Sequence, residues 1–278
     1  MTNQHAYRMR RPLAPLWRSS GQLQLGADPE LILDGVPADV ARAVELWRRP
    51  HTERGLARLL PDLGRNWVSW LRHQLASADL LVAESAPRPD AVAVVGTGDL
   101  ADALVESLTL ARLGGVRRIA SGVESPVVPH WSRLDTPWPA LTLVATGSLE
   151  PDRMLTDELF RSDAAHLVVR AGDARAAVGP LVVPGATACV RCMDLARCRL
   201  DGDWPKLLAQ LCRKPASAPP HLAAWSVATA TAQAKALLDG HQPDATARVI
   251  SLDGWDNCLR AEDVLPHPDC ACTMPAPQ

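Results

Sequence analysis

The chain has 278 residues, 47% hydrophobic and 22% charged, with a formal net charge of −2 at pH 7. That composition excludes a disordered chain and gives no global pull toward nucleic acid or an anionic membrane. Its length suits one large domain, or a small domain followed by a medium one.

Residues 1–11 are polar and basic with no apolar core, which argues against a secretory signal. Residues 13–17 and 22–26 are short alternating runs separated by Ser19-Ser20-Gly21, a hairpin signal. Another short apolar run covers 30–33 and ends at Asp34-Gly35. A helical period follows from Pro37, with Val40, Val44 and Trp47 on one face. Thr52 can cap a second helix through Leu56, Leu59 and Leu60, and a third presents Trp67, Trp70, Leu71 and Leu75. Strands followed by three helices make a winged-helix-like α+β pattern, assigned to residues 8–84.

The two prolines in residues 85–90 read as a linker, because they cannot continue a helix. Beyond it the rhythm changes. Residues 91–95 form a continuous apolar strand, Gly96-Thr97-Gly98 a tight turn, and 100–113 a helix ending at Gly114-Gly115. Further strands are expected at 116–120, 141–145 and 165–170. Strands alternating with helices predict an α/β domain, residues 91–278, with a Rossmann-like, mostly parallel sheet. The longest apolar runs, such as 91–95 and 181–183, are too short to span a bilayer.

A glycine turn between a strand and a helix opens many nucleotide-binding units, because the helix N-terminus points free N–H groups at a phosphate. Here Gly96 and Gly98 are followed by Asp99, whose carboxylate opposes a bound phosphate, and no acidic residue closes the second strand. The turn therefore reads as architectural, with a live nucleotide site as the alternative.

Seven cysteines without an export signal point to thiols and metal in the cytosol rather than to disulfides. Cys189-Val190-Arg191-Cys192 and Cys270-Ala271-Cys272 offer two close pairs, the ligand set of a structural zinc. A redox pair or incidental buried thiols are the alternatives. His267 could replace one cysteine or stand behind the ligands. Cys198, Cys212 and Cys258 have no partner at ligand spacing and read as buried small hydrophobes.

Gly96-x-Gly98, the long helix to Gly114-Gly115, the late Cys-x-x-Cys and the closing cysteine pair resemble the ThiF/MoeB family of adenylating, ubiquitin-activating-like proteins. Gly179-Pro180-Leu181, Pro184-Gly185, Cys189-x-x-Cys192-x-x-Leu195 and His267-Pro268-x-Cys270-x-Cys272 are closer to one branch of it. That branch is the ThiF-like partner protein of peptide azole and azoline (TOMM) biosynthesis, a form of ribosomal-peptide (RiPP) modification. The likeness implies an N-terminal PqqD-like peptide-recognition module, a YcaO-type cyclodehydratase as partner, and a homodimer as an option. Active members of the wider family hold ATP and magnesium with an aspartate pair and an asparagine–arginine stretch. This chain has Ala120-Ser121-Gly122-Val123-Glu124-Ser125-Pro126 there, with Arg133 and Asp135 in the wrong order and context. Adenylation therefore lacks electrostatic support, and bound ATP is not expected.

In the modules that residues 8–84 resemble, a leader peptide adds as a strand between the third strand and the third helix. The corresponding positions are Leu31, Ile32 and Leu33 on the strand and Trp67, Trp70, Leu71 and Arg72 on the helix; Arg65 and His73 would suit an acidic leader. The apolar members of this set are equally consistent with core packing. The expected function is thus a non-catalytic scaffold that binds the leader of a precursor peptide. Two other classes stay open: an adenylating enzyme that activates a carboxylate, and a winged-helix DNA-binding regulator, whose third helix would need more basic residues than Arg65, Arg72 and His73.

Overall fold

In the computed structural model, which describes residues 5–19, 21–83, 91–121 and 139–273, the chain divides into two units, residues 1–86 and 87–278. The expected linker at 85–90 lies outside the described residues, as do Glu124, Arg133 and Asp135.

The first unit contains β1 (Ala6–Met9), β2 (Pro15–Ser19), β3 (Gln22–Leu25), β4 (Leu31–Asp34), α1 (Asp39–Leu46), β5 (His51–Thr52), α2 (Glu53–Leu59), α3 (Gly64–Ser77) and β6 (Leu81–Ala83). Strands β2, β3 and β4 form an antiparallel meander, and β1 lies between β5 and β6 in a second small sheet. The alternation of β3 turns Leu23 and Leu25 inward, where they meet Val40, Val44 and Trp47 of the α1 segment and Leu71 and Leu75 of α3. Thr52 caps α2 by accepting a hydrogen bond from Gly55 N–H at 2.9 Å. Trp47 is fully buried, and its indole N–H donates to the His51 carbonyl at 3.3 Å.

The second unit runs β7 (Val92–Val95), α4 (Asp99–Leu110), β8 (Val116–Ile119), β9 (Leu141–Val144), α5 (Arg153–Arg161), β10 (His166–Ala171) and β11 (Arg175–Val182). It continues with α6 (Val190–Leu200), α7 (Trp204–Leu211), α8 (Pro220–Leu238), β12 (Arg248–Asp253), β13 (Leu259–Asp263) and a short 3-10 turn, Ala271–Thr273. Its seven-stranded sheet has the order β13-β12-β11-β10-β9-β7-β8. Strands β8, β7, β9 and β10 are mutually parallel, while β11, β12 and β13 join by antiparallel pairing. Parallel strands buried on both faces need unbroken apolar runs, and β7 supplies one: all four residues are buried. Val92 and Val94 pack with Leu104 and Leu108 of α4 and Ala230 and Ala234 of α8. Ala93 and Val95, on the opposite face, pack with Leu155 and Leu159 of α5. Among the described residues no helix is long and apolar enough to cross a membrane.

Candidate functional site

The cysteine pairs meet. Cys189 is the N-cap of α6, Cys192 lies in that helix's first turn, and Cys270 and Cys272 flank the start of the 3-10 turn near the chain end. Their sulfurs all lie within 4.8 Å of one another and all four residues are buried. Sγ separations are 3.6 Å for Cys189–Cys270, 3.2 Å for Cys192–Cys272 and 4.0 Å for Cys189–Cys192. These are far longer than a disulfide, about 2.0 Å, and bracket the ~3.8 Å between sulfurs set tetrahedrally ~2.3 Å from a metal. The site fits a metal ion held by four thiolates.

Burial raises the Cys189 thiol and pushes Cys272 up to about 11. Burial acts the same way on Cys192 but is outweighed by hydrogen bonds, foremost that from His267 N–H at 3.3 Å, so its thiol falls below the usual value. His267 itself stands behind the cluster, its Nδ1 accepting from Asp269 N–H at 3.2 Å. Cys198 and Cys212 are half-buried. Cys258, expected to be buried, is exposed because it sits where the β12–β13 hairpin turns into the sheet's outer strand.

The glycine turn opens onto a cleft of about 910 Å³ at the C-terminal ends of β7 and β9, where the strand order reverses. Its walls include Thr97, Gly98, Ser121, Thr146, Ser148 and Ser217. Gly96 (φ 155°) is fixed by packing: a Cβ there would stand 1.8 Å from the Ala145 carbonyl oxygen of the neighbouring strand. Gly98 (φ 83°) faces open space and is required only by its conformation. Among the described lining residues Asp99 is the one charged side chain. Arg118, which reaches the turn from β8, is tied to the Gly96 carbonyl (2.9 Å) and to Asp102 (2.5 Å). These residues do not fit the charge of a triphosphate, and no ATP-dependent step is assigned to them.

An ionic network that the sequence reading missed lies on the α5–α6 side of the sheet. Glu150 is buried and is met by Arg170, by Arg153 at 3.0 Å and by Arg197 at 3.4 Å. Arg153 in turn binds Asp194 through two hydrogen bonds, of 2.6 and 3.0 Å. Arg197 stacks over Trp204 at 4.5 Å, and the Trp204 indole donates to Asp194 at 3.2 Å. For Glu150, burial works to raise the carboxyl, yet Arg170, Arg153 and Arg197 hold it below the ordinary carboxylate range. The local signals are short spacings, Glu150 with Arg153 and Asp194 with Arg197, each three apart; the ion pairs that join these two sets span 41 and 47 positions.

In the first unit, Leu33 and Leu71 are core residues, 3% and 0% exposed. They support the surface from beneath and cannot face a ligand without rearrangement. Leu31, Trp67 and Trp70 are half-buried against that core, the two indoles meeting edge-to-face at 5.3 Å. Ile32 is exposed. Arg72 is paired with Glu53 and lies 5.7 Å over the Tyr7 ring. The sequence reading missed Leu16 and Trp17 of β2, which are 44% and 45% exposed. Leu16 and Ile32 face Gln24 from either side in the meander's register.

No family model and no curated protein sequence matches the chain. Solved structures do. A heterocyclase in complex with substrate and cofactor aligns at a TM-score of 0.65 and 14% identity, and the heterocyclase TruD at 0.62 and 14%. Each likeness covers 97% of this chain and 40% or 43% of the other, so the chain spans about two-fifths of their length. MccB of E. coli with ATP aligns at 0.55 and 12% identity, over 96% of this chain and 99% of that one. The fold is that of these heterocyclases and of MccB. MccB is described as a microcin C7 biosynthetic enzyme and has been solved with N-formylated MccA.

Proposed function

We propose that this chain is a ThiF-like leader-peptide-binding scaffold of azole and azoline biosynthesis. It captures the leader of a ribosomal precursor peptide on a winged-helix, PqqD-like first unit. It then presents the core segment to a separate YcaO-type cyclodehydratase. Tethering the peptide raises its local concentration at the partner's active site. The likeness to part of two heterocyclase chains supports this reading.

The observation that carries it is the contrast between the two units. The cleft of the second offers a triphosphate no cationic side chain among its described residues, whereas the first exposes Ile32 beside half-buried Leu31 and carries Trp67 and Trp70 on α3. A strand added along β4 would gain backbone hydrogen bonds for affinity and apolar contacts for choice, with tryptophan as the strongest anchor type. The buried cysteines are assigned to a structural zinc: four protein thiolates fill the tetrahedron and leave no position for water.

The test combines leader-peptide binding by fluorescence anisotropy with ATP–pyrophosphate exchange. Trp70→Ala or Ile32→Asp is expected to weaken leader binding at least about tenfold, the loss typical of a hot-spot side chain. Pyrophosphate exchange is expected to stay at background with or without peptide. Robust exchange would make the chain an adenylating enzyme and overturn the scaffold.

A further inference from the structure

A pocket of about 270 Å³ opens beside the cysteine cluster, between α5, the start of β10, the start of α6 and the 3-10 turn. Cys189, Cys270 and Cys272 form part of its wall, while Cys192, fully buried, does not reach it. Val168, Val182 and Met193 pack with the cysteines, and His267 N–H holds Cys192. Two further groups in the pocket wall are lone-pair donors without a partner. His166, at the start of β10, is 1% exposed, and its Nδ1 donates to the Ala164 carbonyl at 2.9 Å. Burial pushes the imidazole down to about 4, so it is neutral at physiological pH. With the proton on Nδ1, Nε2 keeps its lone pair, and it has no hydrogen-bond partner among the described residues. Asp157 of α5 is half-buried and makes no hydrogen bond or ion pair among them either. Leaving a buried imidazole nitrogen unpaired costs free energy, and packing alone does not require it. Imidazole and carboxylate are ligand types that zinc accepts. Of the two arginines in the wall, Arg161 is committed to Glu158 at 2.7 Å, and Arg191 is exposed, where solvent screens it.

We propose that this pocket is the route by which the cluster's metal enters and leaves, and that His166 Nε2 and the Asp157 carboxylate receive the ion before the thiolates do. The proposal rests on the zinc assignment made above and is independent of the peptide-binding role. The pocket has room for an ion with several waters, at about 30 Å³ each. Asp157 attracts the hydrated cation, and His166 Nε2 replaces one of its waters. Cys189, Cys270 and Cys272, which share the pocket, replace the others, and Cys192 closes the tetrahedron from behind. Each thiol that binds gives its proton to solvent, and no electron is transferred. His166 and Asp157 are then free again. They therefore set the rate of transfer and leave the final affinity unchanged.

The test uses the full chain loaded with Co²⁺, whose thiolate complex absorbs where the aqua ion does not. Loss of that absorbance at saturating chelator gives the release rate, and stopped-flow mixing of the stripped chain with Co²⁺ gives the loading rate. His166→Gln and Asp157→Asn should each slow release by about tenfold, the low end for losing a side chain that supports a metal site. Loading should slow by the same factor, so the dissociation constant from chelator competition, and the circular dichroism, should not change. Asp157 is half-buried, so Asp157→Asn keeps the test decisive if His166→Gln disturbs the packing of β10. Wild-type rates in both directions would overturn the proposal. So would altered rates accompanied by weaker final binding, the mark of damage to the cluster itself. A wild type that binds no cobalt would overturn the zinc assignment, and the entry route with it.

Discussion

Glu150 shows how one buried residue can govern a face of the second unit. Its carboxylate connects the loop after β9 to β10, α5 and α6 through three arginines. The partner Arg170 is itself shifted below its ordinary value, chiefly by burial and despite the carboxylate beside it. The pair is therefore costly to form and more costly to break. Glu150→Gln leaves Arg170 buried without its counter-ion and should destabilise the chain by ~3–5 kcal/mol, read from the urea midpoint. The pH dependence follows from the direction of the shift. Because the folded state holds the Glu150 carboxyl below its unfolded value, the contribution is complete above the ordinary carboxylate range. It is lost as pH falls through the lowered folded value. The acid limb of a stability–pH curve should thus flatten in Glu150→Gln, and an unchanged limb would mean that the carboxylate is not paired in solution.

At the scale of an element, α3 separates packing from recognition. Leu71 is fully buried between the meander and the other helices, and Leu71→Ala should cost ~2–5 kcal/mol by leaving a cavity. Trp70 is half-buried, so Trp70→Ala should cost less stability while changing peptide affinity more. Denaturant midpoints and leader anisotropy on the two variants check this; equal losses in both readouts would reduce the α3 surface to core. The same helix shows what the sequence could reveal. The spacing of Leu71 and Leu75 marks part of the buried stripe from local pattern alone, but the sequence reading put Trp67 and Trp70 beside them where the structure buries Val68 and leaves both indoles half-buried; Thr52 announces its own cap. Strand β7 is equally legible, because a strand buried on both faces must be apolar throughout. Strand β1 was hidden because it is completed only by His51-Thr52 and residues 81–83, far along the chain. Strand β13 was hidden because both its faces are exposed and it carries no apolar alternation. The antiparallel direction of β11 to β13 belongs to the connections between strands, which no run of side chains records. At the site, the cysteine spacing announced the cluster, but the Arg170–Glu150 contact joins residues 20 apart and has no pattern to announce it.

For the whole molecule, the cysteine cluster and the two separate cores lead to one expectation. The first unit carries its own buried cluster around Leu25, Trp47 and Leu71. The sulfurs of the second unit close a loop of chain between positions 81 apart, Cys189 and Cys270. Closing a loop of that size removes denatured-state entropy worth about 4 kcal/mol on the chain-entropy model of a cross-link, and a metal bridge constrains the chain in the same sense. Metal binding to folded thiolates adds directly to folding free energy. Calorimetry of the metal-loaded chain should therefore show two transitions, since two domains need not melt as one. A strong chelator should lower only the transition that hydrogen exchange assigns to residues 87–278. Cys270→Ser should reproduce that lower transition, bind less metal, and no longer respond to the chelator. If the chelator lowered both transitions equally, the cluster would be supporting more than the unit that contains it. If it lowered neither while removing the metal, the four thiols would be holding the chain end without help from the ion.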